Sequence, residues 1–193
     1  MKKSPSQLRV RTCEDAYAFV RAVGLCYVFS EKKRDAPSLW DVVDLPDKQP
    51  GETGWSAKIV GVWRWKNELP ATYPEEIFYG KTKGGRTVLM TVDFLKKDYY
   101  ARFHRPVAQC SPLARRIYEL VRVEPITTGE LRRAIVQQDK SRRAAFTKAL
   151  IELQVTLNIV RSNAPEVVVD TWLRFVELYP SVALQENATN QPG

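Results

Sequence analysis

The stretch SPLARRIYELVRVEPITTGELRRAIVQQDKSRRAAFTKALIELQVTLNIVR, residues 111–161, decides the fold. It opens with Ser111-Pro112, a capping serine before the residue best suited to the first helical position, and Leu113, Ile117, Leu120 and Val121 recur at helical spacing. Pro125 stops that helix. In Thr127-Thr128-Gly129-Glu130 a glutamate follows a threonine by three residues, the reciprocal capping arrangement that opens a short second helix carrying Leu131, Ala134 and Ile135. After a polar turn a longer helix starts at Asp139 or Ser141 and runs to about Leu157. Its stripe is Phe146, Leu150, Leu153 and Leu157, and Ile159 and Val160 then begin a strand. Three helices in tight succession followed by a strand is the order of a winged helix-turn-helix. On this reading Ser162-Asn163-Ala164-Pro165 is a turn, and a returning strand falls within Val167 to Leu178. Val167, Val168, Val169, Thr171, Trp172, Phe175 and Val176 favour that strand; a continuous helix from Pro165 to Leu178 would contradict it.

Helical periodicity places Lys140, Arg143, Thr147 and Gln154 on one polar face of the third helix, a face suited to base edges and phosphates. Arg142 and Lys148 add to its charge, and Arg132 and Arg133 on the preceding helix are placed to hold a phosphate backbone. Residues 111–163 hold ten Lys/Arg against five Asp/Glu, a large share of the chain's formal charge of +8. A second reading stands beside this one. Ala144, Ile151 and Val155 form another apolar strip nearly opposite the leucines, so the helix is also suited to being clasped between two layers. The unit is then a scaffold or homodimerisation element with an ordinary solvated basic surface.

The part before it is mixed. Thr12 with Asp15 caps a first helix whose Ala16, Phe19, Val20 and Val23 face inward, and Gly24 ends it. The apolar run Leu25 to Phe29 suits a buried strand, the charged loop Glu31 to Arg34 follows, and Pro37-Ser38-Leu39-Trp40-Asp41 opens a short helix. Residues 44–56, rich in Pro and Gly, read as an irregular loop. Ile77 to Tyr79 and Thr87 to Val92 flank Lys83-Gly84-Gly85-Arg86 as a hairpin, from whose tip Lys81, Lys83 and Arg86 project toward a phosphate backbone or serve to protect an edge. Trp63-Arg64-Trp65-Lys66 is either a base-stacking platform or one face of a packed strand, and packing is the preferred reading.

At 193 residues and 44% hydrophobic the chain has enough apolar material for a sizeable core. The expected class is α+β: a mixed N-terminal part with a β-hairpin over residues 1–110, a winged helix-turn-helix over 111–180 and a polar tail over 181–193. No apolar run suits a signal sequence or a membrane span, so a cytoplasmic location is expected. Cys13, Cys26 and Cys110 are widely spaced and read as small buried hydrophobes. With His104 as the one histidine, no metal ligand set, catalytic residue or cofactor site is assigned.

Four segments carry a family resemblance: Trp63-x-Trp65-Lys66-x-Glu68-Leu69-Pro70, Phe78-Tyr79-Gly80-Lys81, Thr128-x-Glu130-Leu131-Arg132-Arg133 and Ala149-Leu150-x-Glu152-Leu153-Gln154. In pattern and order, over most of residues 12–180, the chain resembles the shorter proteins related to the AlkZ family of winged-helix DNA glycosylases. The resemblance implies double-stranded DNA as partner and a link to DNA repair. Full-length members set tandem winged helices around a DNA-binding channel, remove alkylated bases, and use a Gln-apolar-Gln pair after the first helix to position the attacking water. Here Leu25-Cys26-Tyr27-Val28-Phe29 holds neither amide nor acid, and Gln137-Gln138 is adjacent rather than alternating. Hydrolysis needs a water-activating group. The expectation is therefore a DNA-binding protein without independent catalysis. The alternatives are an alkylation-repair glycosylase in which an acid such as Glu68, Asp41 or Asp93 replaces the glutamines, and a protein-interaction subunit.

Overall fold

The computed structural model describes residues 8–31, 35–137, 139–165 and 169–184. The chain forms two compact units, one of Met1–Tyr79 with Arg86–Phe94, the other of Gly80–Gly85 with Leu95–Gly193.

In the first unit, helix α1 (Cys13–Val23) starts where Thr12 Oγ1 accepts from the Asp15 N–H at 3.2 Å and the Asp15 carboxylate accepts from the Thr12 N–H at 3.1 Å. It ends at Gly24, whose φ of 75° suits a residue without Cβ. Strand β1 (Leu25–Tyr27) and helix α2 (Leu39–Val42) follow as expected, and residues 44–56 form neither helix nor strand. Helix α3 (Ala57–Thr72), capped by Ser56 Oγ, corrects the reading of Trp63 to Lys66 as a strand. On a helix, positions two apart point to nearly opposite sides. Trp65 is accordingly fully buried while Trp63 is 46% exposed. Gly61 lets α3 approach the preceding loop, since a Cβ there would lie 2.8 Å from Leu45 Cδ1. Strands β2 (Ile77–Thr82) and β3 (Arg86–Thr91) are joined by the expected hairpin, and the sheet runs β1-β3-β2 with Cys26 opposite Leu89 in an antiparallel pair. Phe19, Val20, Cys26, Val62, Trp65, Leu69, Ile77 and Leu89 share one core. The short helix α4 (Val92–Phe94) closes the unit.

In the second unit, a π-turn (Leu95–Tyr99), helix α5 (Tyr100–Phe103) and a 3-10 turn (Val107–Gln109) lead into helix α6 (Pro112–Val123). Residues 95–110, grouped with the N-terminal part in the sequence reading, belong to this unit. Ser111 Oγ accepts from the Ala114 N–H at the start of α6, with Pro112 in the first turn. Strand β4 (Ile126–Thr127) precedes helix α7 (Thr128–Val136), opened by the reciprocal contact of Thr127 and Glu130. A 3-10 turn (Lys140–Arg142) then enters helix α8 (Arg143–Val155), followed by strands β5 (Ile159–Arg161) and β6 (Thr171–Arg174). The returning strand thus lies inside the expected window, although Val167 and Val168 are outside the described residues. The antiparallel sheet has the order β4-β6-β5, with Thr127 opposite Thr171 and Val160 opposite Leu173. Ile117, Leu131, Phe146, Leu153, Ile159 and Trp172 meet in the core beneath the helices.

Helices α9 (Phe175–Leu178) and α10 (Pro180–Ala183) end the described chain. Val182 is buried, so residues 181–183 are folded rather than part of a polar tail; Gln185 to Gly193 lie outside the described residues. No helix among the described residues is long and apolar enough to cross a membrane.

Candidate nucleic-acid interface

Of the sequence-derived binding residues, helices α7 and α8 carry Arg132, Arg133, Arg143, Thr147 and Lys148, and all five are solvent-exposed. Their placement follows from where the apolar residues sit: Leu131, Ile135 and Val136 bury one side of α7, and Phe146, Ala149, Leu150 and Leu153 bury one side of α8. The side chains at 132–134, 143–145, 147 and 148 are left to water. Arg142 is also exposed, but its Nε donates to the Asp139 carboxylate at 2.9 Å. Asp139 is in turn fixed by the Ser141 N–H at 3.0 Å and the Ser141 hydroxyl. The hydroxyl first, then that N–H and Arg142, hold the Asp139 carboxyl below the usual range.

Other expected contacts fall differently. The Thr147 hydroxyl donates to its own helix at Arg143 O, 3.0 Å away, leaving the oxygen as an acceptor on an exposed residue. Gln154 is not on the polar face: it is buried, with Nε2 donating to Leu150 O at 3.0 Å. A buried amide with a backbone acceptor close by is satisfied without solvent. The Lys140 side chain, like Gln138, lies outside the described ones.

The hairpin tip presents Lys83 alone of its three expected cations as an exposed side chain. Lys81 turns back and donates from Nζ to Gly85 O at 3.1 Å, and burial lowers its pKa against the opposing influence of Asp170. Arg86 belongs to the first unit, where Nη1 donates to Tyr27 Oη at 3.1 Å and the guanidinium carbon lies 5.5 Å from the Tyr27 ring centroid. Gly85, at φ 75°, packs beside α8: a Cβ there would stand 3.4 Å from Ile151 Cγ2. Part of the second apolar strip of α8 is therefore covered within its own unit.

Two polar contacts absent from the sequence reading position these helices. Glu152 on α8 accepts from Ser111 Oγ at 2.6 Å, from the Ser111 N–H at 3.1 Å and from Arg105 Nη2 at 2.8 Å, tying α8 to the start of α6. Trp172 Nε1 donates to Thr128 Oγ1 at 2.8 Å, and the Thr128 N–H donates to Asp170 O at 2.9 Å, joining the first turn of α7 to β6. Both involve side chains more than forty residues apart along the chain, which local patterns do not reveal.

At the position implied for a catalytic amide pair, Cys26, Tyr27 and Val28 are buried, and the Tyr27 hydroxyl donates to Asp35 at 2.7 Å. Burial first, and then Asp35, raise the pKa of that phenol. His104 stacks on Tyr100 at a centroid distance of 4.6 Å, and the described residues contain no cluster of three His, Cys, Asp or Glu side chains suited to a metal.

The family model described as AlkZ related matches residues 10–170, spanning both units. The chain belongs to the AlkZ-related family. No curated protein and no solved structure matches the chain. In this AlkZ-related chain the matched span includes all of α1 to α8 and the exposed basic side chains of α7 and α8.

Proposed function

We propose that the second unit is a winged helix-turn-helix that binds double-stranded DNA, and that the protein acts in a DNA-repair context by binding rather than by independent catalysis. The observation that carries this reading is the exposed set Arg132, Arg133, Arg143 and Lys148 on two consecutive helices backed by a small antiparallel sheet. The order α6-β4-α7-α8-β5-β6 and the strand arrangement β4-β6-β5 support this reading, in which α8 is the recognition helix and the β5–β6 connection the wing. Arginines offer several donors to phosphate oxygens, and on this reading α7 is the helix that crosses the backbone. Lys83 adds a cation from the hairpin tip within the same unit, and Thr147 Oγ1 and Arg142 flank the same helix. Family membership supports the repair context, and the buried apolar residues at 26 and 28 argue against a water-activating pair there.

The test is a gel-shift titration of duplex DNA at several salt concentrations. Replacing Arg132, Arg143 and Lys148 with alanine is expected to weaken binding for all duplex sequences and to reduce the slope of log affinity against log salt by about one unit per lost phosphate contact. Equal affinity and equal slope in variant and parent refute the assignment. Incubation of excess protein with alkylated duplex, followed by alkaline cleavage, is expected to give no strand breaks above background; breaks would restore the glycosylase reading.

A further inference from the structure

The first unit carries a row of four aromatic rings, of which Trp40 and Phe29 are partly buried against the core and Trp63 and Trp55 are exposed. Trp40, Phe29, Trp63 and Trp55 follow one another with centroid separations of 6.2, 6.4 and 5.8 Å. Trp55 is 64% exposed and Trp63 46% exposed, a large cost in apolar surface left in water. Successive rings are tilted by 46° and 43°, and Trp55 and Trp63 meet edge to face at 65°, so no two of them stack face to face. Tyr17 and Tyr73, by contrast, stack at 4.0 Å and 18°. Cations accompany the row: Lys58 Nζ lies 4.6 Å from the Trp40 centroid, and Lys66 Nζ lies 4.1 Å from that of Trp63. Lys66 is buried and backs the platform, whereas Lys58 remains partly accessible at its margin.

We propose that Trp55 and Trp63 form a stacking platform for the unpaired bases of single-stranded nucleic acid, with Lys58 meeting the phosphate backbone. Exposed indole surface accepts any base, since every base has a π-face, and the partly accessible Lys58 ammonium at its margin complements the negative charge linking the bases. The accessible Lys58 ammonium beside the exposed rings favours an anionic occupant over a purely apolar protein partner. The proposal does not rest on duplex binding by the second unit.

The full-length protein is titrated with short oligo(dT) while tryptophan emission is read, because stacked bases quench exposed indoles. Saturable quenching is expected. Trp55→Ala and Trp63→Ala should each weaken binding by about fivefold to 100-fold, the range of a lost base–aromatic stack, while Trp63→Phe should retain most of the affinity. The Arg132, Arg143 and Lys148 alanine variant should lose duplex affinity but keep oligo(dT) binding, which separates failure of one reading from failure of the other. Absence of quenching in the parent protein overturns the proposal. So does parental oligo(dT) affinity in the Trp55→Ala/Trp63→Ala double variant with an unchanged circular dichroism spectrum. If that double variant instead abolishes self-association in light scattering and leaves oligo(dT) binding intact, the row joins two copies of the chain and the proposal is wrong.

Discussion

Glu152 is expected to be the most costly single polar residue to remove from the second unit. Its carboxylate receives three donors, and two of them come from Ser111, the residue that caps α6. A hydrogen bond to a charged group contributes about 1.5–3 kcal/mol. The Arg105 contact must be discounted, because that side chain is 42% exposed while Glu152 is 22% exposed, and solvent screens such a pair to about 1 kcal/mol or less. The two Ser111 contacts dominate. After allowance for water that replaces part of them, Glu152→Ala should cost about 2–4 kcal/mol. Glu152→Gln keeps the shape but leaves one amide oxygen to serve donors that now use two carboxylate oxygens, so about 1 kcal/mol is expected. Ser111→Ala removes the cap as well and should cost about 1–2 kcal/mol. In a double-mutant cycle the Ser111/Glu152 coupling should be about 1–2 kcal/mol, since both single changes remove the hydroxyl–carboxylate bond, while the Ser111 N–H contact survives Ser111→Ala. Two compact units need not unfold together, so the measurement is amide hydrogen exchange at α6 and α8, supported by urea unfolding. Additive effects within about 0.3 kcal/mol, or an alanine variant as stable as the parent, would refute the idea that this carboxylate holds α8 to α6.

Cys13 should be a sluggish thiol. Burial, followed by the charge of Glu68, raises its pKa to about 11, so at pH 8 only about one thiol in a thousand is ionised. Iodoacetamide should label the native protein slowly, Glu68→Gln should speed labelling, and a rate equal to that of a free thiol would contradict this. The cap of α7 should depend on acid. The Thr127 hydroxyl first, then the Thr127 N–H, lower the Glu130 pKa, so the cap contributes fully above the ordinary carboxyl value and is lost as pH falls through the lowered one. Protection factors in the first turn of α7 should fall on acidification in the parent but show no such step in Glu130→Gln; identical profiles would be inconsistent with it.

Helix starts were legible because their chemistry is local. Thr12 with Asp15, Ser111 with Pro112 and Thr127 with Glu130 each complete a cap within one turn, and all three helices begin there. Helix α3 was hidden by its own composition. Gly61, two tryptophans two residues apart and Pro70 near the end weaken a helical pattern, and only the approach to Leu45 and the burial of Trp65 explain why those residues are suited to it. Of the candidate interface, Arg132, Arg133, Arg143 and Lys148 are exposed, as helical periodicity suggests. Three others turn to partners inside the protein. Arg86 meets Tyr27, which precedes it by 59 residues, and Lys81 finds the carbonyl of Gly85 across the turn. Gln154 has the polarity of a surface residue, but an acceptor on its own helix lets it remain inside.

The hairpin tip gives the chain an unusual genealogy of parts. Because Gly80–Gly85 belongs to the second unit while the sequence on either side belongs to the first, no single cut yields the second unit whole. A fragment beginning at Leu95 would lose the turn that packs beside Ile151, and a graft of residues 111–178 onto another protein would lose it too. Length changes in that turn, although it looks like an ordinary surface loop, act on the second unit's packing rather than on the sheet from which it springs.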